Sequence, residues 1–195
     1  MMLPLARSAA VMALIVGFAA PVFAGPTVDK ATEIEAMLAA GDTAGAMAGA
    51  QALLDQVWAD LGVIGFTNTV LVAEPANGFG NYIPRADAVF KVDEPIMIYA
   101  EPYGFGYGEA APGVLSMGFD VDLKVTNDAG EVLGELVDLM QMEIKSSYKN
   151  KEFQANLTYT LTGLPPGKYV LLTTMRDKNS DRTGSFETAV EFVAP

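Results

Sequence analysis

The stretch MGFDVDLKVT constrains the fold more than any other. Met117, Phe119, Val121, Leu123 and Val125 alternate strictly with Gly118, Asp120, Asp122, Lys124 and Thr126. Only an extended chain sends every second side chain to the same face, so the pattern predicts a strand buried on one side and wet on the other.

The same period recurs from Phe66 onward. FTNTVLVA covers 66–73, a short strand is expected at 88–92, and IMIYAE begins at Ile96. VLGELVDLMQMEIKSS reads as one long or two short strands, and FQANLTYTLTGL, KYVLLTTMRD and FETAVEFVA follow. About seven or eight strands with turn residues between them and no helical interlude predict an antiparallel sandwich.

Before this the period is helical. VDKATEIEAMLAAGD places Ile34, Met37 and Leu38 on one face, and Gly41 suits a helix C-terminus. Asp42 or Thr43 can cap a second helix through Met47, Leu54, Val57 and Trp58. The phrase AMLAAGDTAGAMAGAQALL resembles one half-repeat of the tetratricopeptide type; a single unit cannot bury a continuous core, so a helical hairpin is expected instead.

LTGLPPGKYVLLTTMRD makes the β-rich part more specific. Leu164, Pro165, Gly167 and Tyr169 resemble the penultimate-strand entry of immunoglobulin-like and fibronectin-like domains. That resemblance implies a tyrosine corner, with the Tyr169 ring buried and its hydroxyl bonded to upstream backbone. The fold class expected is mainly β: an immunoglobulin-like sandwich preceded by a short helical hairpin. The boundaries are 1–24, 25–62 and 63–195.

The first segment reads as a secretory signal: Arg7, an apolar run from Ala9 to Ala20, then Val22-Phe23-Ala24 as the cleavage signal. A secreted, periplasmic protein follows, with no transmembrane segment in the mature chain. The chain has no cysteine, so it exports no disulfide and offers no thiol nucleophile. Histidine is also absent, which removes the usual general base at neutral pH and most zinc sites. A formal charge of −12 repels nucleic acid, whose binders rely on clustered Lys and Arg.

Two loops stand out. EPANGFGNYIPR carries Phe79, Tyr82 and Arg85, and EPYGFGYGEAAPG carries Tyr103, Phe105 and Tyr107. Each follows a strand ending in Glu-Pro and interleaves glycine with aromatics, a composition suited to contact. If the two strands run the same way, both loops emerge at one end and make a joint surface; otherwise the rings fold inward as lids. These six residues are the candidate binding site, and the function expected is a non-catalytic binding or assembly module whose partner is another envelope protein or a glycan.

No cofactor is expected. DKNSDRTG sets Asp177, Asn179 and Asp181 at calcium-loop spacing, but the glycine and glutamate that complete such a loop are missing, and a hairpin turn accounts for the composition. A calcium-stabilised adhesin-like domain would depend on it. Asp120 and Asp122 share a strand face, an ordinary polar one. Lys145, Lys149 and Lys151 read as edge-protecting lysines. The rival enzymatic class is a carboxylate-based glycan hydrolase using Glu101 and Glu109 beside the aromatic loop.

Overall fold

A computed structural model describes residues 25–194; the signal-sequence reading of 1–24 lies outside them. The chain divides into two compact units, Met1–Leu53 and Leu54–Pro195. It is mainly β, with two helices N-terminal to the sheets, and among the described residues no helix is long and apolar enough to cross a membrane.

The helices are α1 (Pro26–Ala39) and α2 (Thr43–Asp60). Pro26 opens α1 where its missing N–H costs nothing, and Gly41 turns the chain with φ of 78°. The Asp42 carboxylate then accepts the Gly45 N–H at 2.9 Å, capping α2. A Cβ on Gly49 would sit 2.9 Å from Ile34 Cγ1, so the small residue lets the two helices approach.

Among the described residues nine strands follow the end of α2. They are β1 (Gly65–Leu71), β2 (Val89–Lys91), β3 (Ile96–Tyr103), β4 (Gly108–Ala111), β5 (Val114–Asn127), β6 (Val132–Ser146), β7 (Ala155–Tyr159), β8 (Gly167–Asp177) and β9 (Thr183–Val193). One sheet is ordered β1-β3-β7; the other runs β2-β9-β8-β5-β4, with β6 also paired to β5. All pairings are antiparallel except β2 with β9. The sheets include a curled half-barrel.

The alternation read at 117–126 is the burial pattern of β5: Met117, Phe119, Val121, Leu123 and Val125 are buried beside Ile96, Ile98, Leu157, Leu171 and Phe192. Tyr169 is buried in the same core, and its hydroxyl donates to the Pro165 carbonyl at 2.7 Å. Two strands end earlier than predicted. β1 stops at Leu71, and β7 stops at Tyr159 because the chain turns through Gly163, at φ of 79°. β4 was hidden in the sequence inside the second aromatic loop, where Gly113, at φ of 75°, makes a tight hairpin with β5.

β6 is one strand with two irregularities. Val121 pairs with Met140 but Leu123 pairs with Leu136, so residues 137–139 bulge opposite Asp122 alone. Asp138, at φ of 55°, occupies the bulge; its N–H donates to Asp122 Oδ1 at 2.8 Å, and its carboxylate meets Arg176. A second shift follows at Leu133.

Candidate functional site

The joint aromatic surface does not form. β1 and β3 are antiparallel neighbours, Gly65 opposite Tyr103 and Leu71 opposite Ile98, so the loops that follow them leave at opposite ends. Each loop has its own architecture.

In the loop after β3, Phe105 is 0% exposed and therefore offers nothing to a partner. It is the hub of an aromatic cluster, meeting Trp58 at 5.1 Å, Phe119 at 5.7 Å, Phe153 at 5.9 Å and Tyr107 at 5.8 Å between ring centroids. The Trp58 indole N–H donates to the Phe105 carbonyl at 2.7 Å. Glycine is required at 104, where φ is 81° and a Cβ would lie 2.7 Å from the Val63 carbonyl oxygen. Arg182 closes the arrangement, donating to the carbonyls of Gly104 and Ala59 at 2.7 Å and of Trp58 at 3.3 Å. One guanidinium thereby satisfies the last carbonyls of α2 and fixes the loop.

Tyr107 is half-buried; its hydroxyl donates to the Asn150 carbonyl at 2.9 Å, and burial pushes its phenol up to about 12. Lys149 lies 5.8 Å over its ring, and Lys151 pairs with Asp55, 5.6 Å from the Trp58 ring. The hydrogen bond from Lys151 holds the Asp55 carboxyl below the usual carboxylate range. Of the loop's three aromatics only Tyr103 is exposed.

The loop after β1 lies over the outer side of β3. Tyr82 stacks on Tyr99 with centroids 4.5 Å apart. The Tyr99 hydroxyl accepts the Gly80 N–H and donates to Glu101 Oε1, both at 2.7 Å, while Asn68 donates to Glu101 Oε2 at 2.8 Å. Burial, with that Glu101 bond, pushes the Tyr99 phenol up to about 12. Arg85 lies 4.0 Å over the Phe90 ring and pairs with Glu94 at 2.9 Å. Phe79 is exposed.

The carboxylates divide between engaged and exposed. Glu101 is buried, whereas Glu109 is exposed on β4. Asp177 turns inward, accepting N–H bonds from Gly106 at 2.5 Å and Asn179 at 3.1 Å and the Ser180 hydroxyl, while Asp181 lies at the surface. The turn thus ties β8 to the aromatic loop. Asp122 is held by Arg176 at 2.9 Å, which keeps its carboxyl below the usual range, and Lys178 lies 3.9 Å from Asp120. Lys145 pairs with Glu143 at 3.3 Å on β6.

The strand read in VLGELVDLMQMEIKSS is present as β6, but the exposure of its first half was not foreseen. Residues 132–139 are exposed without alternation, and Val132, Leu133, Leu136, Val137 and Leu139 are among them. Beside this half-strand a cavity of about 320 Å³ is lined by Leu123, Val125, Leu133, Leu136, Leu161 and Leu164. Among the described residues nothing pairs with the far edge of β6. The leucines share this lining with Glu135, Thr160 and Thr162, and an open row of backbone groups beside such a groove is the arrangement by which a sheet accepts another strand.

No family model and no curated protein matches this chain. Among solved structures it is similar to the sporulation control protein Spo0M of Bacillus subtilis, at 12% identity and a TM-score of 0.38 over 69% of this chain and 51% of that one. It is also similar to the alkylpurine DNA glycosylase AlkC of Pseudomonas fluorescens, solved bound to DNA containing an abasic site analog, at 13% identity and a TM-score of 0.35 over 73% and 34%. The chain spans about half the length of the first and a third of the second.

Proposed function

We propose that this chain is an exported, non-catalytic binding or assembly module built on an immunoglobulin-like sandwich, with its contact surface on β6. The observation that carries the reading is the exposed half-strand 132–139. A strand in a folded sheet normally hides its apolar side chains on one face, and here five large ones stand in solvent beside an unpaired edge.

The aromatic loops give less support as the contact surface, because Phe105, Tyr107 and Tyr82 are committed to internal contacts. Tyr103 and Phe79 are left as secondary contacts. A polypeptide partner of the cell envelope suits the edge better than a glycan, since only a polypeptide supplies the alternating N–H and C=O groups that the edge lacks. The sandwich assignment is supported by the Tyr169 hydroxyl bond to Pro165, and export by the leader-like residues 1–24.

The test is a Val137→Asp, Leu139→Asp double variant of the full chain, read by chemical crosslinking in the producing cells. Both residues are exposed, so the fold should persist while the wild-type adduct disappears. An unchanged adduct, with Tyr103→Ala removing it instead, would return the contact to the loop.

A further inference from the structure

The edge of β6 is complementary to itself. The Asn127 N–H donates to the Glu131 carbonyl at 3.1 Å, so odd-numbered residues of β5 bond towards β6; the Lys178 N–H bond to the Gly118 carbonyl puts the even-numbered ones on the other side. Residues of β6 opposite even-numbered β5 positions therefore carry their backbone groups on the open edge. These are Val132, Glu135, Gln141, Glu143 and Lys145, opposite Thr126, Lys124, Asp120, Gly118 and Ser116.

Along this edge the bulge produces a symmetry that the chain numbering conceals. Measured by their partners on β5, Glu135 and Lys145 lie four strand positions to either side of Gln141. Leu136, opposite Leu123, and Ile144, opposite Met117, lie three to either side; Met140 and Met142 lie one to either side. Without the extra residues at 137–139 these distances would not match. A two-fold axis through Gln141 brings Glu135 against Lys145 of a second copy, Leu136 against Ile144, and Met140 against Met142.

We propose that β6 pairs antiparallel with β6 of a second copy about this axis, joining two sheets into one. The inference rests on the reading of β6 as the contact surface and names its occupant. Glu143 then faces the bulge of the other copy, where the Asp138 carboxylate is already held by Arg176. The charge of −12 on each chain opposes association, and physiological salt screens it beyond about 8 Å.

Sedimentation equilibrium of the full chain at physiological ionic strength is expected to show a dimer. Glu135→Lys and Lys145→Glu should each raise the dissociation constant about tenfold, since each creates two like-charge pairs per dimer. The combined swap should restore it. Because the chain has no cysteine, Gln141→Cys supplies a second readout: a short bis-maleimide should join two copies at this position and not at Glu187→Cys on β9.

A monomeric wild type, single reversals without effect, or no joining through Gln141→Cys would overturn the proposal. If the chain is monomeric while the Val137→Asp, Leu139→Asp variant still loses its cellular adduct, the second copy is wrong and the β6 surface stands. If neither is seen, both fall.

Discussion

Trp58 and Phe105 hold each other in two ways: the indole N–H donates to the Phe105 carbonyl at 2.7 Å, and the two rings meet edge to face at 5.1 Å. The contact ties the end of α2 to the loop after β3. Phe105→Ala should therefore cost about 3–5 kcal/mol of stability in urea unfolding, the range for deleting a buried aromatic ring. Tyr103→Ala, two residues away but exposed, should cost well under half of that; equal effects would show that the cluster is not a core.

Arg182 is expected to matter for its hydrogen bonds rather than its charge. Arg182→Ala leaves the carbonyls of Gly104, Trp58 and Ala59 without their donor and should lower stability by about 1–3 kcal/mol. Arg182→Lys keeps the charge but not the planar fork, so it should recover only part of the loss in the same unfolding measurement. Full recovery by lysine would contradict the geometry.

At low pH the informative pair is Asp122 and Arg176. The Arg176 hydrogen bonds depress the Asp122 carboxyl, so its contribution to stability is present above the unfolded pKa and is lost as pH falls through the lower, folded one. The stability difference between wild type and Asp122→Asn should thus be constant near neutrality and shrink below about pH 4. A difference that grows on acidification would reverse the sign and refute the assignment.

At high pH the tyrosines report. Tyr99, Tyr107 and Tyr159 have phenols pushed up to about 12, chiefly by burial. A raised pKa favours the neutral folded form, so stability should fall as pH rises from about 10 through 12. Phenolate absorbance followed alongside circular dichroism should show a late step coincident with unfolding. Complete ionisation in a still-folded protein would show these rings to be accessible.

Much of the fold was legible because the periods are clean. The alternation of Met117 to Thr126 reports directly which side of β5 is covered, and Tyr169 makes the backbone bond that Leu164, Pro165 and Gly167 led us to expect. The aromatic loops stayed open between surface and lid for a physical reason: glycine between aromatics describes both an adaptable surface and a tight turn that drives a ring inward. What separates the two is the direction of β1 against β3, and side-chain periodicity carries no such information.

The strand at β6 was legible, but its exposure was not, for a related reason. VLGELVDLMQMEIKS is apolar enough to look like a buried strand, and nothing local reveals that residues 132–139 stand exposed. The bulge could have been suspected only from Asp138 among apolar neighbours. Its left-handed φ is imposed by Asp122 and Arg176, which are remote in sequence.

The most direct test of β6 as the contact surface is photo-crosslinking in the producing cells, with benzoylphenylalanine replacing Val137, Tyr103 or Glu187 in the full chain. A discrete protein adduct is expected from Val137, which is 65% exposed at the bulge, with little from Tyr103 and none from Glu187. Labelling from Tyr103 with none from Val137 would contradict the account.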